Sequence, residues 1–183
     1  EGAGMRAISN IVDITNFVML EMGQPLHAFD YRYLAEGRVV VRRSRAGEVF
    51  TTLDGKERAL KPDMLLICDG VKPVAIGGVM GGINSEVNDD TETVLLESAY
   101  FDPVSIRMSA KWLGMSTDAA FRFERGIDPE GVIEAQNRAA RLMAKLSSGS
   151  ICRGIIDRYP RRVKTAENIP LRVRRVGEIV GAE

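Results

Sequence analysis

Residues 93–100 read 93-TVLLESAY-100. The alternation predicts a strand, with Leu95, Glu97 and Ala99 on one face and Val94, Leu96 and Ser98 on the other. Glu97 is the oddity, an acid in apolar company. Burying an ionised carboxylate without a partner costs several kcal/mol, so such a residue needs a bonding group. Two readings of it stand. It pairs with one of the chain's many arginines, or it aims at a polar atom of a ligand; the residues alone favour the ion pair.

Upstream of this strand, helix and strand patterns alternate. Ile8 to Met22 predicts a helix, since Ile8, Ile11, Val12, Thr15, Val18, Met19 and Met22 recur at helical spacing, and Gly23 with Pro25 ends it. Asn10, Asp13 and Asn16 share a different face. The stretch 21-EMGQPLHAFD-30 then carries His27, the only histidine of the chain. Arg38 to Arg43 and Val49 to Leu53 are β-branched runs, and Asp54-Gly55 predicts a hairpin into 56-KERAL-60. Met64 to Gly70 reads as a short buried strand. In 74-VAIGGVMGG-82 four glycines alternate with apolar residues but match no phosphate loop, which points to close backbone approach by a strand or a ligand.

Downstream, Pro103 opens a helical stretch to Met115, with Val104, Ile106, Met108 and Trp112 as its apolar surface. Ser116 to Pro129 (STDAAFRFERGIDP) is dense in charges of both signs, as expected of a segment knitted by local pairs. Asp128-Pro129 is a helix start of the Asp-cap, Pro-first kind. Val132, Ala135, Ala139, Leu142, Met143 and Leu146 give the following helix its core face. Ile151 to Tyr159 predicts a strand, and a boundary is expected near Thr165. Residues 1–164 then form one domain, and 165–183 a linker with the start of another module. The fold class is α+β, with packed antiparallel and mixed sheets flanked by helices.

Composition narrows the chemistry. Two cysteines without CxxC spacing and one histidine leave too few ligands for a zinc site, and no nucleophile elbow accompanies His27. No apolar run reaches the length of a membrane span. Net charge is zero, yet residues 150–183 hold eight Lys/Arg against four acids. A surplus this modest reads first as a solvated surface and second as a phosphate-facing one.

Four segments, VDITNFVMLEMGQPLHAFD, VAIGGVMGG, LLESAYFDPVSI and STDAAFRFERGIDP, resemble in order and separation the editing domain of bacterial phenylalanyl-tRNA synthetase beta subunits. The resemblance covers Met5 to Arg158, and IPLRVRRVGEIVG resembles the opening of that family's next module. It implies a three-layer β/β/α arrangement around a β-sandwich of unusual topology. The implied activity is hydrolysis of tyrosine wrongly esterified to tRNA(Phe); the alternative is a structural or tRNA-docking module with a vestigial pocket. The implied catalytic set is His27, Asn16 and Thr15, beside the ester and its attacking water. Glu97 matches the family's partner for the tyrosine hydroxyl, which reverses the ion-pair preference. Gly77, Gly78 and Gly81 match one wall of the pocket, Thr117 and Ala119 the opposite wall. Relatives often carry Ala-Gly where this chain has Gly77-Gly78, and a small polar residue before His or Tyr at Ala120-Phe121. The resemblance implies no metal or cofactor in this domain, and ATP with magnesium for the whole enzyme. It also implies tRNA(Phe) carrying tyrosine and an alpha subunit in an (alpha-beta)2 assembly as partners, with a cytoplasmic setting.

Overall fold

A computed structural model describes residues 2–159 and 170–181. The expected boundary at Thr165 lies outside the described residues. In chain order the elements are α1 (Asn10–Met22), β1 (Leu26–Asp30), β2 (Val40–Arg43), β3 (Val49–Thr51), β4 (Glu57–Ala59), β5 (Leu65–Cys68), β6 (Pro73–Ile76), β7 (Met80–Gly81) and β8 (Val94–Ser98). They continue with α2 (Pro103–Leu113), α3 (Asp118–Phe123), α4 (Val132–Leu146) and α5 (Val173–Val180). The fold is α+β.

Local chemistry sets the element ends. Ser9 Oγ accepts from the Val12 N–H at the start of α1, and the Gly23 N–H closes onto Met19 O at its end. Asp102 caps α2 through the Ser105 N–H, and Thr117 caps α3 through the Ala120 N–H. Asp128 accepts from the Glu130 N–H in a short 3-10 turn that leads into α4.

Every strand pairing among the described residues is antiparallel, so the mixed sheet expected from sequence does not occur there. Strands β2-β5-β6-β7 form one sheet, β3 and β4 a hairpin, and β1 and β8 a two-stranded ribbon. The ribbon is the middle layer. Phe29, Leu95 and Ala99 on one face join a core with Leu66, Ile76, Phe101, Ile106 and Phe123. Leu26, Val94 and Leu96 on the other face join Ile14 and Val18 of α1 and Ala135, Ala139 and Met143 of α4. Helices, ribbon and sheet therefore stack as α, β and β.

Polar contacts lock the helical layer onto the ribbon. Gln136 Nε2 donates to Leu96 O at 3.0 Å and Ser98 Oγ donates to Val132 O at 2.7 Å, so α4 covers part of the β8 backbone. Gln24 Nε2 donates to Ala99 O at 2.9 Å, tying the end of α1 to the end of β8. Arg138 pairs with Glu21 across α1 and α4. Asp30, fully buried, is held by Arg32 and Thr91, and these bonds keep its carboxyl at about 2.

Two expectations need correction. Ile151 to Tyr159 is irregular rather than a strand, with Ile156 at 90% exposure. A β-branched run has strand preference only where one of its faces is covered, and no described sheet edge takes this one. In α2 only Ile106 of the four expected apolar residues is buried, because Ser109 and Ala110 complete the inward face. Val104, Met108 and Trp112 point to solvent, with Lys61 Nζ 5.3 Å from the Trp112 ring centre.

Gly78 sits at the β6–β7 turn with a φ of 68°. A Cβ there would come within 2.7 Å of Ile106 Cδ1 and 2.9 Å of Phe101 Cδ2. Gly78→Ala thus combines a left-handed backbone penalty with overpacking, and a loss of about 3 kcal/mol is expected. Urea unfolding checks it, and an unchanged midpoint would contradict this packing.

Candidate functional site

The ribbon register sets His27 directly opposite Glu97. Opposed residues of an antiparallel pair share a face, and theirs is the face of Phe29 and Leu95, away from the α1–α4 packing. The imidazole stands edge-to-face on Phe29, with centroids 4.4 Å apart. Behind it runs β7. A Cβ on Gly81 would lie 2.5 Å from His27 Cε1, 2.8 Å from His27 Nε2 and 3.0 Å from Leu53 Cδ1. Any larger residue at Gly81 would occupy the volume that the ring and Leu53 use.

Among the described residues neither His27 nor Glu97 makes a side-chain hydrogen bond or ion pair. The arginine partner that sequence alone favoured for Glu97 is not there. Burial pushes the Glu97 carboxyl up to about 7 and the His27 imidazole down to about 4. At neutral pH the imidazole is uncharged, with one ring nitrogen free to accept, and Glu97 is poised between acid and carboxylate. Such a pair offers an acceptor for a water proton and a strong partner for a hydroxyl.

The other expected residues take several positions. Thr15 is buried and donates its hydroxyl to Val12 O at 2.7 Å, within α1. Asn16 is half-buried on the same helix, and neither bonds to His27 or Glu97. Thr117 donates to Val79 O at 2.9 Å, beside the glycine turn, and Ala119 packs against the sheet-side core. A Cβ on Gly77 would meet Phe101 and Leu65, and one on Gly78 would meet Ile106, Phe101 and Phe123, so of the three glycines Gly81 is the one against His27. Asp118 pairs with Arg122 and Glu124 with Arg125, local contacts within and just after α3.

Leu53 was not anticipated. Its only signal was its place before Asp54-Gly55, which fixed a hairpin but not what the hairpin touches. Two open hollows lie elsewhere. One of about 540 Å³ lies between Glu21, Met22, Ile133, Asn137 and Arg138. Another of about 490 Å³ is lined by Gln24, Phe121, Arg122, Arg125 and Asp128. Among the described residues no three His, Cys, Asp or Glu side chains cluster as metal ligands, and no helix is long and apolar enough to cross a membrane.

The fold and this pair define a class: an α+β module presenting a neutral imidazole and a half-buried, unpaired acid on one ribbon face. The chain belongs to the B3/4 domain family, whose model matches residues 1–148. It is 65% identical over 181 residues to the phenylalanine–tRNA ligase beta subunit of Syntrophus aciditrophicus, covering 99% of this chain and 22% of that protein. The same-named protein of Moorella thermoacetica is 54% identical, again over 99% of this chain and 22% of the relative. That of Geobacter sulfurreducens is 51% identical over 183 residues, 100% of this chain and 23% of the relative. The chain spans less than a quarter of the length of these relatives.

The two shifted groups make opposite contributions to stability. Folded Glu97 holds its proton up to about 7 against an ordinary 4.5, so stability falls as pH rises across that window. Folded His27 gives its proton up above about 4 against an ordinary 6.5, so its contribution rises with pH between those values. Glu97→Gln removes the first component alone. The variant should exceed the parent in stability at pH 8, on the order of 3 kcal/mol, with the gap shrinking toward pH 4.5. Urea unfolding at pH 5 and pH 8 is the measurement, and an equal gap at both would contradict a desolvated, unpaired Glu97.

Proposed function

We propose that this chain is the editing module of a phenylalanine–tRNA ligase beta subunit and hydrolyses the ester of tyrosine wrongly joined to tRNA(Phe). The observation that carries the reading is the His27–Glu97 pair, opposed on one ribbon face with no hydrogen-bond or ion-pair partner for either side chain among the described residues. An unpaired acid held half-buried in apolar surroundings has a stability cost with no structural return, and a substrate hydroxyl would supply the missing partner. The relatives are phenylalanine–tRNA ligase beta subunits, which supports tRNA(Phe) as the partner.

The need for such a site follows from binding physics. An apolar pocket shaped for phenylalanine rejects an added hydroxyl by only about a hundredfold. A second pocket that bonds the hydroxyl selects the other way, since phenylalanine would leave Glu97 without a partner. In this reading Glu97 accepts from the tyrosyl hydroxyl and His27 orients the attacking water at the ester carbonyl. The resemblance assigns Thr15 and Asn16 to the aminoacyl group and water, and Gly81, Thr117 and Ala119 to the wall of the ring, while Gly77 and Gly78 act through the seating of β7. Water adds to the carbonyl carbon, the bond to the ribose oxygen breaks, and tyrosine leaves with the tRNA hydroxyl restored. The whole ligase, with an alpha subunit, ATP and magnesium, performs aminoacylation elsewhere. One observation favours a structural module instead: Thr15 spends its hydroxyl on its own helix, and neither it nor Asn16 bonds to the pair.

Deacylation of Tyr-tRNA(Phe) by the full beta subunit in its natural assembly decides between them. His27→Ala is expected to slow hydrolysis by about a hundredfold, the low end for a positioned proton acceptor. Glu97→Ala is expected to lose the preference for the tyrosyl over the phenylalanyl ester. Wild-type rates in both variants would leave only the structural reading.

A further inference from the structure

The β3–β4 hairpin is built to hold one side chain in place. The Leu53 N–H donates to Gly81 O at 3.0 Å, and Thr52 bridges Gly82, so the hairpin end is sewn to β7 and its continuation. Thr52 is fully buried; its hydroxyl donates to the Asp54 carboxylate and accepts from Arg58 Nε at 3.0 Å. Arg58 Nη2 closes the ring on Asp54 at 2.7 Å, and Arg58 Nη1 donates to Leu113 O at 3.3 Å. The hairpin is thereby anchored to α2 as well. So much polar bonding in a short turn leaves Leu53 little freedom. Its Cδ1 and the His27 ring both crowd the space above Gly81, which lacks the Cβ that would separate them.

We propose that Leu53 is a positioning residue of the His27–Glu97 site. The hairpin lays its side chain beside the imidazole as the dry wall that excludes water from the ring and against which an incoming aromatic side chain packs. The second half of this statement rests on the editing reading above; the first half does not. A leucine is suited to both tasks, since it offers branched apolar surface and competes for no hydrogen bond. Of the groups around the ring, Glu97 faces it across the ribbon, while Asp54 and Arg58 on the hairpin are committed to one another.

Two measurements separate the halves. His27 is the chain's only histidine, so its imidazole titration by NMR gives one resolved curve. Leu53→Ala should admit water and move that titration up from about 4 by one pH unit or more, while Leu53→Met, which keeps the volume, should leave it in place. Leu53→Val serves if the alanine variant fails to fold, with a smaller shift expected. An unmoved titration in a folded small-residue variant overturns the proposal. In the full beta subunit, Leu53→Ala should raise KM for Tyr-tRNA(Phe) deacylation about tenfold with kcat less affected, and Leu53→Met should restore it. A shifted titration with unaltered deacylation overturns the packing role alone. A wild-type protein that fails to deacylate removes the editing reading, and the titration still decides whether Leu53 walls the ring.

Discussion

The β1–β8 ribbon sits between two hydrophobic cores, and its pairing register is the constraint on which the site depends. Because side chains alternate along each strand, a slip of one residue would carry His27 and Glu97 from the sheet side to the helix side. It would also drive Leu26, Val94 and Leu96 out of the α1–α4 core. The hydrophobic pattern on one face thus enforces the position of the polar pair on the other. Gln24 and Gln136 reinforce the register from outside by bonding Ala99 O and Leu96 O, two carbonyls that flank Glu97. No loop has to place the two polar side chains; a short rigid ribbon does it.

Much of this was legible in the residues. The face assignment of TVLLESAY, with Leu95, Glu97 and Ala99 together, is the arrangement observed, and so are the α1 stop at Gly23 and the hairpin at Asp54-Gly55. Those features rest on local rules: strand alternation, helix capping and turn preference. What stayed hidden was nonlocal. That His27 and Glu97, 70 positions apart, are register partners follows from pairing across the fold, and periodicity carries no such information. The ion pair favoured for Glu97 failed for the same reason. Of the downstream arginines, Arg122 pairs with Asp118 and Arg125 with Glu124, and none among the described residues reaches Glu97. The strand expected over Ile151 to Tyr159 erred in the other direction, since its residue types suit a strand but nothing described covers it. Of the apolar residues expected on α2, Val104, Met108 and Trp112 recur every fourth residue on the exposed side, and only Ile106 shares the packed face with Ser109 and Ala110.

Electrostatics explains why the pair is best left unsatisfied by the protein. A salt bridge to Glu97 would stabilise the fold but hold its carboxylate fully ionised and occupied. Left in apolar surroundings, the carboxyl rises to about 7 and keeps its bonding capacity for another molecule. The neighbouring imidazole falls to about 4, so it remains neutral and capable of accepting a proton over the physiological range. Both shifts come from desolvation, so the apolar shell around the ribbon face sets the protonation of the two polar groups. The stability cost is local, and the two separate cores on either side of the ribbon absorb it.

The glycine-rich segment divides its labour in a way that follows from the same geometry. Gly77 and Gly78 face Phe101, Leu65, Ile106 and Phe123, and their missing side chains let the β6–β7 turn sink into the core. Thr117 then joins that turn to α3, donating to Val79 O while accepting the Ala120 N–H, so one hydroxyl couples the helix start to the glycine turn. With the turn seated this deeply, β7 is brought against the ribbon, and only there does Gly81 leave room for His27 beside Leu53. Packing glycines and a site glycine are therefore not interchangeable. Substitution at Gly77 or Gly78 acts on the site through the position of β7, whereas substitution at Gly81 acts on the imidazole itself.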